Sequence, residues 1–145
     1  MNLCDVNVWI ALALSEHVHQ RVAREWFDSI AEPATALFCR ATQQAFLRLL
    51  TNVAVLAPYG NPPLTNDEAW TAYQSLLSDD RVAFQALEPR DLESRWESFA
   101  LRNEPSPKLW MDAYLAAYAV GSGCRMVTTD AAYRQFDGLD LLVLC

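Results

Sequence analysis

Apolar positions in this chain fall into two kinds of run. Short unbroken ones alternate with longer ones in which apolar residues recur every three or four positions. Unbroken runs of this length read as buried strands, and the three-to-four spacing reads as helix. The strand-like runs are Met1 to Cys4, Thr35 to Cys39, Arg81 to Phe84, Met126 to Thr128 and Leu141 to Leu144. Between them the spacing predicts a short helix from Asn7 to about Leu14. A second, amphipathic one runs from Val18 to Ile30, with Val22, Ala23, Trp26, Phe27 and Ile30 on one face. Further helices are expected over Arg40 to Thr51, from Thr65 or Asn66 to Leu77, over Pro89 to Leu101, and from Trp110 through Tyr118. Punctuation fits these bounds. Pro33 breaks the chain, prolines and a glycine crowd Ala57 to Pro63, and Asn103 to Lys108 is polar and proline-rich. Gly121 and Gly123 are placed to end the last long helix in the left-handed conformation that favours glycine.

Strands alternating with helices predict an α/β fold in three layers, α/β/α, around a mainly parallel sheet of four or five strands. At 145 residues, with no internal repeat, the chain reads as a single domain over 1–145. A hydrophobic share of 52% against 20% charged is that of a folded globular protein. No apolar run approaches the ~18 residues of a membrane span, and Asp5 interrupts the first apolar stretch where a secretory leader would continue. A cytoplasmic location is expected. Cys4, Cys39, Cys124 and Cys145 form no C-x-x-C pair and have no histidines at zinc spacing, so they read as small buried hydrophobes. The net charge of −7 is unusual for a nucleic-acid binder, although local arginines still reach phosphate within an acidic whole.

Against this background three aspartates stand out. Asp5 closes the first strand, Asp112 lies in the first turn of the apolar helix, and Asp130 follows the run Arg125-Met126-Val127-Thr128-Thr129. Any one of them has a plain structural use as a helix cap. Together they lie at one edge of the expected sheet, the edge where open α/β folds bind ligands. Clustered carboxylates suit a hard cation, Mg²⁺ or Mn²⁺, which activates water for phosphodiester hydrolysis.

Three segments then resemble a known family. Asp5-Val6-Asn7-Val8-Trp9-Ile10-Ala11-Leu12 is similar to the D-x-N-x-x-[IL] opening of PIN domains. Asp112-Ala113-Tyr114-Leu115-Ala116-Ala117-Tyr118-Ala119 resembles their D-A-x-[IL]-A-A-x-A helix, and Val127-Thr128-Thr129-Asp130 their closing V-T-x-D. Order, spacing and length match over essentially the whole chain, and the size resembles the VapC toxins of toxin–antitoxin pairs. The resemblance implies a Mg²⁺-dependent endoribonuclease with Asp5, Asp112 and Asp130 as metal-binding, catalytic acids. It implies Asn7 and Thr128 as supports, a VapB-like antitoxin partner, and a homodimer. One position departs: Ala45 stands where PIN domains usually carry a glutamate, with Gln43 and Gln44 as the nearest polar groups and Gln44 as a supporting residue.

Other residues carry both a functional and a plain reading. Arg40, Gln44 and Arg48 share one helix face, which would meet RNA or an antitoxin, or simply water. Trp9 and Trp110 would stack on a base or pack in the core. His17 and His19 read as a polar turn. Two other functions remain open on sequence: a PIN-like module that binds RNA or protein without cutting, and an aspartyl-nucleophile phosphatase or receiver. The latter normally carries a second acid where Asn7 stands.

Overall fold

The computed structural model describes residues 1–145. Five strands form one sheet in the order β3-β2-β1-β4-β5, and every neighbouring pair is parallel. They are β1 (Asn2–Cys4), β2 (Ala36–Cys39), β3 (Val82–Gln85), β4 (Arg125–Thr128) and β5 (Leu141–Val143). Their apolar runs are unbroken because a parallel sheet is covered on both faces. Side chains on one face meet α1 (Val6–Ala13), α2 (Gln20–Asp28), α3 (Arg40–Leu50) and α5 (Asn66–Leu77), in a core centred on Trp9, Phe38, Phe46 and Leu50. The opposite face meets α6 (Leu92–Ala100) and α7 (Leu109–Ser122) through Leu3, Leu37, Ala113, Ala116, Ala117 and Met126. The expected three-layer α/β/α fold is the one observed.

The strand order determines where a ligand would meet this sheet. From β1 the chain steps outward to β2 and β3. It then crosses over to β4, on the other side of β1, and continues to β5. Connections leaving β1 and β4 diverge, so the carboxyl ends of these two neighbours flank a crevice. Asp5 directly follows β1 and Asp130 lies two residues beyond β4.

Several boundaries differ from the sequence reading, each with a local cause. Helix α2 starts at Gln20 rather than Val18 because the His17 ring nitrogen accepts the His19 amide at 3.1 Å, closing a turn first. The proline-rich stretch is partly ordered: Asn52 caps a short α4 (Val53–Leu56), which runs into a 3-10 turn at Ala57–Tyr59. Helix α6 begins at Leu92, after Asp91 takes a left-handed φ of 61°. Gly123, with φ 66°, caps α7 as expected. Gly121 instead lies inside the last turn, where a Cβ would meet Pro89 side-chain carbons at 3.0 Å.

Candidate active site

Asp5 occupies the junction of β1 and α1. Its extended backbone and its Oδ1, which accepts the Val6 amide at 2.7 Å, make it the N-cap of that helix. Its Oδ2 accepts the Thr128 hydroxyl at 2.7 Å. Thr128 is the last residue of β4 and fully buried. While donating to Asp5, the Thr128 Oγ1 accepts from the Asp130 amide at 3.0 Å and from Asn7 Nδ2 at 3.3 Å. Asn7 in turn accepts the Thr129 amide at 3.3 Å. One threonine hydroxyl thus joins both strand ends, and the fold brings Asn7 and Thr128 together with Asp5 and Asp130 there.

The other two acids meet through a residue that sequence reasoning passed over. Lys108 Nζ donates to Asp130 Oδ2 at 2.7 Å and lies 3.7 Å from Asp112 Oδ2. Asp130 Oδ1 meanwhile accepts the Ala132 amide at 2.8 Å, capping the 3-10 turn Ala131–Gln135. One Asp130 oxygen thus caps the turn and the other meets Lys108. Tyr133, in that turn, donates its hydroxyl to Asp112 Oδ1 at 3.3 Å. Lys108 was legible only as an i,i+4 partner of Asp112. No sequence pattern pointed from Tyr133 to a helix twenty residues earlier.

Burial and mutual repulsion separate the acids electrically. Burial is the main reason the Asp5 carboxyl is pushed up to about 6; repulsion from Asp112 and Asp130 adds to it, and the Thr128 and Val6 hydrogen bonds oppose it. Asp112 is also raised, chiefly by burial and against the pull of Lys108. Asp130 is held below the usual range, first by its hydrogen bond from Lys108. Burial raises the Tyr133 hydroxyl strongly, and the three carboxylates reinforce it, so it stays a proton donor.

No three Asp, Glu, His or Cys side chains close around a point as a complete ion cage. An open site is what a hard, hydrated cation uses, since Mg²⁺ binds through one or two carboxylates and keeps several waters. The donor set here is all oxygen, and an ammonium already lies between two of the acids. An all-oxygen donor set of this kind is the chemistry a hard divalent cation takes.

None of the remaining residues of interest is hydrogen-bonded to the side chains of the three acids. Gln44 is exposed and has no hydrogen bond to any of the three acids. Ala45 is half-buried and contributes no oxygen. Arg40, at the start of α3, donates to Gln43 Oε1 at 2.6 Å and lies 4.6 Å over the Phe84 ring. Arg48 is about 12 Å further along the helix axis, lining a surface cleft with Trp70 and Asn66. Trp9 is buried and stacked on Phe38 at 3.9 Å, so its role is in the core. Trp110 is 52% exposed. Cys4, Cys39 and Cys124 are buried as expected, whereas Cys145 is exposed.

Parallel α/β architecture with a carboxylate edge at the switch point defines a class of metal-suited domain, and comparison with known proteins narrows it. A PIN-domain profile matches residues 3–139. The chain is 56% identical over 144 residues to Ribonuclease VapC41 of Mycobacterium tuberculosis, covering 99% of both. It is 29% identical over 139 residues to Ribonuclease VapC31 of the same organism, covering 94% of this chain and 93% of that one. This protein belongs to the PIN-domain family. Its fold is shared with VapC20 of Mycobacterium tuberculosis, described as a sarcin-ricin loop cleaving toxin (TM-score 0.65, 16% identity, 97% and 98% coverage). It is shared also with VapBC2 of Rickettsia felis (TM-score 0.70, 9% identity, 99% and 98% coverage).

Proposed function

We propose that this chain is a VapC-type endoribonuclease, the toxin of a toxin–antitoxin pair, which hydrolyses RNA phosphodiesters with Mg²⁺, or Mn²⁺ in its place, held by Asp5, Asp112 and Asp130. The observation that carries the reading is the meeting of acids from both ends of the chain at one switch point, tied by the Thr128–Asp5 hydrogen bond across 123 positions. The full-length identity of 56% to a protein named a ribonuclease supports the same substrate class.

When bound, the cation supplies a water of lowered pKa and offsets charge developing on the phosphate. The chain's own residues prepare the place. Thr128 fixes the Asp5 carboxylate by a charge-assisted hydrogen bond, and Asn7 fixes Thr128. Tyr133 orients Asp112 from the far side. Burial makes the Asp5 anion costly when unpartnered, so a cation there recovers energy already spent on desolvation. Structural relatives described as VapBC or toxin–antitoxin complexes support a VapB-like antitoxin as the partner. We take the chain to be a homodimer as the family resemblance implies.

The test is incubation of single-stranded RNA with the purified, antitoxin-free chain in Mg²⁺, in Mn²⁺ and in EDTA. Discrete products in either metal and none in EDTA are expected; intact RNA in all three would overturn the reading. One observation favours a second one. Ala45 removes the extra carboxylate usual in the family, so a binding module without cleavage would show RNA bound equally well in EDTA.

A further inference from the structure

Lys108 is poorly suited to the helix start at which it lies. It is the N-cap residue of α7 yet has helical backbone angles and makes no capping hydrogen bond. A cation at a helix N-terminus opposes the macrodipole, and Ser, Thr, Asp or Asn would be the favoured choice. Its side chain is 73% exposed, so it is not held by burial either. What holds it is the carboxylate edge: its ammonium lies 2.7 Å from Asp130 Oδ2 and 3.7 Å from Asp112 Oδ2.

We propose that Lys108 is a tethered counter-ion of the acid edge, which holds Asp112 and Asp130 together in the metal-free chain and is exchanged for the divalent cation when one binds. The inference rests on the metal-dependent reading above and deepens it, naming the residue that sets how tightly this chain takes its metal. Two positive charges do not share the same two carboxylate oxygens without repulsion, so metal binding displaces the ammonium. The divalent ion wins because its charge is doubled and the lysine stem is long, flexible and exposed. The cost of that displacement is subtracted from metal affinity. The same contact makes the metal-free edge more stable than three adjacent carboxylates would be alone.

The experiment is direct titration of the full chain with Mn²⁺, followed by its electron paramagnetic resonance signal without RNA, for wild type, Lys108→Met and Lys108→Arg. Thermal unfolding of each in EDTA accompanies it. Lys108→Met is expected to bind Mn²⁺ roughly fivefold or more tightly, since giving up a contact between two unit charges about 4 Å apart changes binding by that order even in bulk water. It is also expected to unfold at a lower temperature in EDTA, with Lys108→Arg restoring both values toward wild type. Equal or weaker Mn²⁺ binding by Lys108→Met would overturn the counter-ion role while leaving the metal site itself standing. Absence of Mn²⁺ binding by all three folded proteins would overturn both readings. Should Lys108→Met fold poorly, Lys108→Gln removes the charge with a polar side chain, and the same outcomes apply.

Discussion

The Thr128 hydroxyl donates a hydrogen bond to Asp5 and accepts from the Asp130 amide and Asn7, so the geometry of both strand ends depends on a single oxygen. Replacing it by valine keeps the shape and leaves a buried carboxylate oxygen short of a donor. Thr128→Val is expected to cost about 1–3 kcal/mol of stability and to weaken divalent-metal binding by roughly 10–100-fold. Denaturant unfolding and Mn²⁺ titration check the two effects separately. Asp5 itself makes a pH prediction. Its carboxyl is raised to about 6 in the fold from an ordinary value of 3.8, so the unfolded chain gives up this proton first. The stability it contributes is full below about pH 4 and is lost as pH rises through 6. In EDTA, wild type should therefore lose on the order of 2–3 kcal/mol between pH 4 and 7 relative to Asp5→Asn. Parallel pH profiles for the two proteins would contradict this.

Among the elements, the junctions matter most. Helix α7 carries Asp112 in its first turn and ends at Gly123, whose φ of 66° is unfavourable for any residue with a Cβ. Gly123→Ala should lower stability by about 1–2 kcal/mol, measured by thermal unfolding, with no change in metal affinity because the cap is at the far end of the helix. Every expected strand was observed, because a buried parallel strand is an apolar run whose meaning does not depend on its partners. Helix ends were less legible. Those of α2 and α6 depend on a histidine turn and on a left-handed Asp91, which compete with the apolar period. Asp5, Asp112 and Asp130 were visible because each interrupts or follows an apolar run. The Lys108–Asp130 and Tyr133–Asp112 contacts were not, because the partners lie 22 and 21 positions apart across the fold. Gly121 shows the same limit, since only the approach of Pro89 explains it.

For the whole molecule, the order β3-β2-β1-β4-β5 turns a sequence with acids near both ends into one with those acids side by side. A protein of net charge −7 then concentrates negative charge at one edge, which RNA phosphates avoid unless a cation stands between. A divalent metal should consequently stabilise the fold by mass action, by about 2.7 kcal/mol at a hundred times its dissociation constant. The rise in unfolding temperature should be absent from Asp5→Asn. The most direct measurement is cleavage of total cellular RNA by antitoxin-free wild type and by Asp5→Asn of verified fold, each in Mg²⁺, Mn²⁺ and EDTA. Discrete products are expected from wild type with metal and none in EDTA, with a loss on the order of a hundredfold in the variant. A folded Asp5→Asn protein that cuts as fast as wild type would contradict it.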